Sequence, residues 1–120
     1  MCIKMESLKK NEDFKNCYKT GRSAANRYLV LYHVPNGQGK NRIGVSVSKK
    51  IGNSVVRHRI KRLVRECCRL HEKEFASGFD IAVVARRSAN GATYKEIETS
   101  LLGLMKKSGL LLMTSSEQTL

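Results

Sequence analysis

The chain has 120 residues, room for one domain with a modest core, and carries 23 Lys and Arg against 10 Asp and Glu, a formal charge of +13. So large an excess draws polyanions to the surface, which argues against a neutral small-molecule enzyme and for nucleic acid as the partner. An anionic membrane would be the competing partner, but Trp is absent and no apolar run approaches the ~18 residues of a spanning helix.

Met1 to Lys10 has scattered charges and no apolar stretch, so no secretory leader is expected. Asn11 to Gly21 reads as a short helix, with Asn11 as N-cap, Glu12 and Asp13 at its positive end and Gly21 at C′. Tyr28 to Val34, rich in β-branched and aromatic residues, reads as a strand, and Pro35 to Gly39 as a turn. Arg42 to Ser48 alternates, with Ile43, Val45 and Val47 on one face and Gly44, Ser46 and Ser48 on the other. That pattern predicts a half-buried strand, hairpin-paired with the one before it. A further strand between Gly21 and Tyr28 fits but has no fixed place. Asn53 or Ser54 caps a helix running to about His71, and a strand follows Gly78 from Phe79 to Arg86. Thr93 to Glu96 is a capping-box pattern opening a last helix through Lys107, with Ile97, Leu101, Leu104 and Met105 at helical spacing and Gly109 after its end. The order helix, strands, helix, strand, helix predicts an α+β fold, a single-domain two-layer sandwich with one sheet. Residues 1–120 are expected to form one RNA-binding domain, with a folded core from about 6 to 108 and a flexible tail at 110–120.

The four cysteines, Cys2, Cys17, Cys67 and Cys68, form no CxxC pair, and no His stands at finger-like spacing. Adjacent Cys67 and Cys68 point about 100° apart on a helix and cannot share a metal. Free thiols in a reducing cytoplasm are therefore expected.

Charge concentrates in one segment. Lys49, Lys50, Arg57, Arg59, Lys61, Arg62, Arg65 and Arg69 face one acid, Glu66, so +7 of the +13 lies in 21 residues. At 100° per residue Val56, Ile60, Leu63, Val64, Cys67 and Leu70 share an arc about 120° wide, and most of the remaining circumference is basic, with His58 at its centre. A merely solvated helix usually mixes signs in i,i+4 pairs; here like charges repel, and a polyanionic partner removes that repulsion. Backbone N–H groups at Gly52, Asn53 and Ser54 offer a second anion site.

The segment Ser46-Val-Ser-Lys-Lys-Ile-Gly-Asn-Ser-Val-Val-Arg-His-Arg-Ile-Lys-Arg-Leu-Val-Arg-Glu66 closely resembles the signature of the bacterial ribonuclease P proteins. The resemblance extends through Leu8 to Phe14, Ser23 to Arg27, Asp80 to Arg86 and Thr93-Tyr94, covering roughly residues 6–108. Two features depart from the family: Arg57-His58-Arg59 stands where its pattern is Arg-Asn-Arg, and the tail from Leu110 lacks the expected basic character. The resemblance implies a ribosomal S5 domain 2-like fold whose basic helix faces a catalytic RNA and whose sheet and first helix form a cleft for the 5′ leader of precursor tRNA. It implies catalytic-RNA contacts from Lys49, Lys50, Asn53, Arg57, His58, Arg59, Lys61, Arg62, Arg65 and Arg69, and it places Phe14, Tyr18 and Tyr32 in the leader cleft.

The residues give their own account of that cleft. Phe14 and Tyr18 share a helix face at i,i+4, and Tyr28, Val30 and Tyr32 share a strand face. Aromatic rings beside Ser46, Ser48 and lysines suit unstacked bases, with Arg86 and Arg87 as candidate phosphate contacts; the same rings would equally suit a core. A metal nuclease needs convergent carboxylates, and the acids here are few and scattered. His33, His58 and His71 form no acid–base pair by spacing, and no nucleophile or phosphate-loop motif is present. No catalytic or metal-binding residue is therefore expected on the protein. On the family reading, RNA and the Mg²⁺ it chiefly binds carry out hydrolysis, no organic cofactor is needed, and the partners are the catalytic RNA and precursor tRNA. A cytoplasmic, membrane-free, monomeric protein is the corresponding expectation. A ribosomal or assembly RNA-binding protein of the same fold is the alternative. A helix-turn-helix regulator fits less well, because a strand, not a helix, precedes the basic helix.

Overall fold

The computed structural model describes residues 6–8 and 11–111. Its sheet runs in the order β1-β4-β5-β3-β2, with β1 at Glu6–Ser7, β2 at Arg22–Ala25, β3 at Leu29–Pro35, β4 at Arg42–Ser46 and β5 at Phe79–Ala85. The helices are α1 (Asn11–Thr20), α2 (Ser54–His71) and α3 (Tyr94–Lys107). α2 and α3 cover one face of the sheet, packing on Leu29, Leu31, Ile43, Val45, Ile81 and Val83. α1 crosses the opposite face, where Cys17 meets Leu8 and Ala82 beside Phe14, Tyr32 and Val34. The single-sheet α+β sandwich stands as expected, and α1 adds a partial layer on its far side.

β3 and β4 do not form the expected hairpin. β5 lies between them, antiparallel to β3, with Val83 opposite Leu31, and parallel to β4, with Val83 opposite Val45. The turn between them does form, with Gly37 at φ 71°, but packing decides the pairing. β5 is buried from Asp80 to Val83, the pattern of a strand covered on both faces, so it takes the centre. β4 and β5 are then parallel strands joined by a helical crossover, which lays α2 on the sheet. The unplaced strand is β2, an edge strand whose Ser23 lies opposite Tyr32.

Asn53 caps α2, its side chain accepting from the Val56 N–H at 3.0 Å. Ile60, Val64, Cys67 and Cys68 form the buried stripe. Leu70, expected on that stripe, is instead 54% exposed. The last turn of α2 leans on α3, to which His71 ties it through Glu98, so Cys68 turns inward in place of Leu70. Thr93 and Glu96 form the capping box of α3. Gly21 follows α1 without adopting a left-handed C′ conformation; a Cβ there would sit 2.5 Å from the Cys17 carbonyl oxygen and 2.7 Å from that of His33.

Leu110, assigned above to the tail, belongs to the fold. It is 1% exposed, its N–H donates to the Met105 carbonyl, its carbonyl accepts from Ala76 N–H, and Leu111 bridges Phe75. An apolar residue after the Gly109 turn closes the core under α3. Residues 112–120, like Cys2, lie outside the described residues.

One polar network fixes α1. The Arg42 guanidinium on β4 donates to both Asp80 oxygens, at 2.8 and 2.6 Å, and reaches Asp13 of α1 at 3.5 Å. Burial alone would raise the Asp80 carboxyl, but hydrogen bonds from Arg42 and Asn36 outweigh it and hold the group below its ordinary value.

Candidate nucleic-acid interface

α2 presents its charge as a stripe. His58, Arg62, Arg65 and Arg69 lie within about 60° of one another around the helix, and all four are exposed. Arg57, Arg59 and Lys61 flank the stripe, half-buried, with their stems against the body. Lys49, Lys50 and Asn53 are exposed at the helix entrance. Glu66, the acid on this face, pairs with Arg69 at 2.5 Å, and hydrogen bonding to Arg69 holds its carboxyl down. The pair partly neutralises the C-terminal end, leaving the N-terminal two-thirds of α2 with the greater density of positive charge.

Beside the stripe is a cleft of about 390 Å³ between α1 and the outer edge of β4, lined by Asn11, Phe14, Lys15, Tyr18, Val45, Ser46, Val47 and Lys61. It opens because, among the described residues, β1 pairs only with Arg42 and Ile43 and no strand lies on the outer side of β4 beyond them. Close approach of α1 creates its floor. A Cβ on Gly44 would meet the Phe14 Cζ at 2.4 Å, so glycine lets the Phe14 ring lie on the sheet. Tyr18 is 41% exposed, with its ring edge-on to Tyr32 at 4.8 Å and tilted against Phe14 at 6.2 Å. Burial pushes the Tyr18 phenol up, against the lowering effect of the Ser46 side chain within hydrogen-bonding reach. The phenol is therefore a protonated donor at neutral pH.

The structure thus brings Phe14, Tyr18, Ser46 and Lys61 together, and Lys61, assigned above to the α2 face, lines the cleft as well. Tyr32 lies behind Tyr18, half-buried with α1 against the sheet. Ser48 is not in the cleft. It falls past the end of β4, where its hydroxyl accepts from the Lys50 N–H at 3.1 Å and caps the turn into α2. Arg86 is also outside it, exposed at the end of β5 and donating to the Asn26 carbonyl at 2.9 Å. Asn11, read above only as a helix cap, and Lys15 were not assigned to the cleft from the sequence, although their i,i+4 spacing, interleaved with Phe14 and Tyr18, could have placed them there.

The nucleophilic and titratable groups lie elsewhere. Cys17, Cys67 and Cys68 are free and buried, and burial pushes the Cys17 thiol up to about 11, that of Cys67 up to about 12 and that of Cys68 further still. His71 sits between Glu74 and Glu98, 3.0 and 2.8 Å away, so both carboxylates are its partners. Among the described residues no group of three or more His, Cys, Asp and Glu side chains is placed to hold a metal ion, and no helix is long and apolar enough to cross a membrane.

The profile of the Ribonuclease P family matches residues 3–109. The ribonuclease P protein component of Lachnoclostridium phytofermentans is 54% identical over 84% of this chain and 87% of its own length. That of Clostridium botulinum strain Loch Maree is 46% identical over 90% and 98%. Among solved structures, the Staphylococcus aureus RNase P protein superposes with a TM-score of 0.82 at 40% identity, covering 88% of this chain and 96% of that one. The Thermotoga maritima protein does so with a TM-score of 0.79 at 32% identity, covering 85% and 96%. Sequence and fold agree, and the chain belongs to the ribonuclease P protein family.

Proposed function

We propose that this chain is the protein subunit of a ribonuclease P holoenzyme, binding a catalytic RNA through α2 and the 5′ leader of precursor tRNA in the α1–β4 cleft. The observation that carries this reading is adjacency. A stripe of exposed cations and a cleft with clustered aromatics meet at Lys61, so a folded RNA and a single strand can be held side by side. The stripe neutralises backbone phosphates and releases their counterions. The Tyr18 ring offers a sequence-tolerant stacking surface, while Ser46, Lys15 and Lys61 offer a hydroxyl and two cations to bases and phosphates.

On this reading the protein raises substrate affinity and screens charge, and the RNA with Mg²⁺ bound chiefly to it carries out phosphodiester hydrolysis. The side chains fit that division: Arg42 engages Asp13 and Asp80, and Arg69 engages Glu66. Work as a monomeric protein in the cytoplasm, beside the RNA, completes the proposal.

The test is the salt dependence of catalytic-RNA binding by a variant with Arg59, Arg62 and Arg65 changed to Ala. Each lost phosphate contact should reduce the log–log slope by about 0.7 to 0.9, so the slope should fall by about 2 to 3. An unchanged slope in a variant that unfolds at the wild-type urea concentration would remove α2 from the interface.

A further inference from the structure

A second concavity lies at the opposite edge of the sheet. It has a volume of about 360 Å³ and is lined by Asn26, Arg27, Tyr28, Lys95, Glu96, Thr99 and Ser100. Taking the cleft as an RNA site, as above, we propose that this pocket is a second site for an unpaired ribonucleotide, reached by RNA that crosses the end of the sheet over Arg86 and Arg87.

The pocket is built rather than incidental. The Asn26 amide donates to the Ser100 carbonyl at 3.0 Å, and its oxygen accepts from the N–H groups of Tyr28 and Leu29 and from the Ser100 hydroxyl. The Tyr28 hydroxyl donates to Glu96 at 3.2 Å, and the other Glu96 oxygen accepts from the Thr93 N–H at 2.9 Å. The Ser88 hydroxyl donates to the Arg27 carbonyl. Asn26, Ser100 and Glu96 are therefore engaged in holding the pocket, and the ligand-facing chemistry falls to Arg27, Tyr28, Lys95 and Thr99.

That chemistry suits a nucleotide. The exposed Arg27 guanidinium lies 5.5 Å from the Tyr28 ring centroid, forming a cation–aromatic pair on which a base can stack. Lys95, its side chain 84% exposed and only 3.7 Å-paired with Glu98, is placed to meet a phosphate, and the exposed Thr99 hydroxyl can donate to or accept from a base edge.

Sheet register supplies the path. Ser46 aligns with Val84, Val84 with Val30 and Val30 with Ala25, so the cleft and the pocket open at the same end of the strands. The strand positions Ser46 and Ala25 stand three strand spacings apart, about 14 Å, and because the cleft lies on the α1 side and the pocket on the α3 side, a run of unpaired nucleotides joining them also rounds the strand ends. Arg86, directly after the intervening β5, donates to Asn26 at the pocket's rim, and Arg87 beside it is exposed.

The test begins with amide chemical shifts of the full chain titrated with adenosine 5′-monophosphate and with a short single-stranded RNA. Saturable shifts at Arg27, Tyr28, Lys95 and Thr99 are expected, lost in Arg27→Ala and kept in Tyr18→Ala, with shifts at Phe14 and Ser46 behaving the opposite way. In the holoenzyme, precursors with progressively longer leaders distinguish the source of the nucleotide. If it is the leader, one long enough to reach the pocket gains at least about fivefold in affinity, the low end for one stacked base, and Arg27→Ala cancels that gain. If it is the catalytic RNA, Arg27→Ala weakens assembly equally for every leader; either result supports the site. Cleft shifts without pocket shifts, or pocket shifts that survive Arg27→Ala, would overturn it while leaving the cleft reading intact. Absence of shifts at both places would overturn both.

Discussion

Tyr18 offers the sharpest separation of stability from recognition. It is 41% exposed, so truncation to Ala opens little of the core. What the fold loses is the edge-on contact with Tyr32 at 4.8 Å and the weaker one with Phe14 at 6.2 Å. Aromatic pairs contribute about 0.5–1.5 kcal/mol beyond their buried area, so Tyr18→Ala should lower unfolding stability by about 1–2 kcal/mol. A stacked base contributes about 1–3 kcal/mol to single-strand binding, so affinity for leader-bearing precursor should fall between about fivefold and a hundredfold. Mature tRNA has no leader and should bind as before. Tyr18→Phe keeps the ring and loses only the hydroxyl near Ser46, and should retain most of the leader affinity. The assay is the dissociation constant of the reconstituted holoenzyme for precursor and for mature tRNA, with urea unfolding of each variant alone. Equal weakening of both substrates would refute the reasoning, because Tyr18 would then act through the fold and not through the leader.

Two further outcomes follow from the packing. Burial alone would lower the His71 pKa, but hydrogen bonds to Glu98 and Glu74 outweigh it and the net shift is upward. Its contribution to stability is therefore complete below about pH 6.5 and is lost as pH rises through the raised value. His33 works in the opposite sense, because burial and Arg22 hold its pKa down. The useful quantity is accordingly the stability difference between wild type and His71→Gln, which should be larger at pH 6 than at pH 8.5; a constant difference would contradict the clamp. Gly44→Ala should cost about 1–3 kcal/mol and weaken leader binding, because its Cβ would lie 2.4 Å from the Phe14 Cζ and 2.8 Å from the Leu8 carbonyl oxygen. Unchanged urea unfolding would show that α1 can lift off the sheet freely.

The elements legible in the sequence were those whose signal is local. The Asn53 cap, the Thr93–Glu96 capping box and the charge of α2 depend on residues within one or two turns, and each is in place. Strand partnership is not local. The Asn36-Gly37 turn suggested a hairpin, yet which strand occupies the centre depends on the burial of β5, about 40 to 55 residues away. The cleft was half legible. The i,i+4 spacing of Phe14 and Tyr18 gave the helix face, but Ser48 could be excluded only by knowing that β4 ends at Ser46. Leu70 misled for a related reason: α2 changes its packing partner from the sheet to α3 along its length, so a single helical arc could not describe its buried side.

The measurement that tests the central claim most directly is cleavage of a precursor tRNA by a cognate-type catalytic RNA at low Mg²⁺, with this chain present and absent. The chain should raise cleavage at sub-saturating substrate and cleave nothing by itself, and Tyr18→Ala should lose most of the gain on leader-bearing substrate while still binding the catalytic RNA. Cleavage by the chain alone, or the same rate with and without it, would rule out a role as the protein subunit of an RNA-based enzyme.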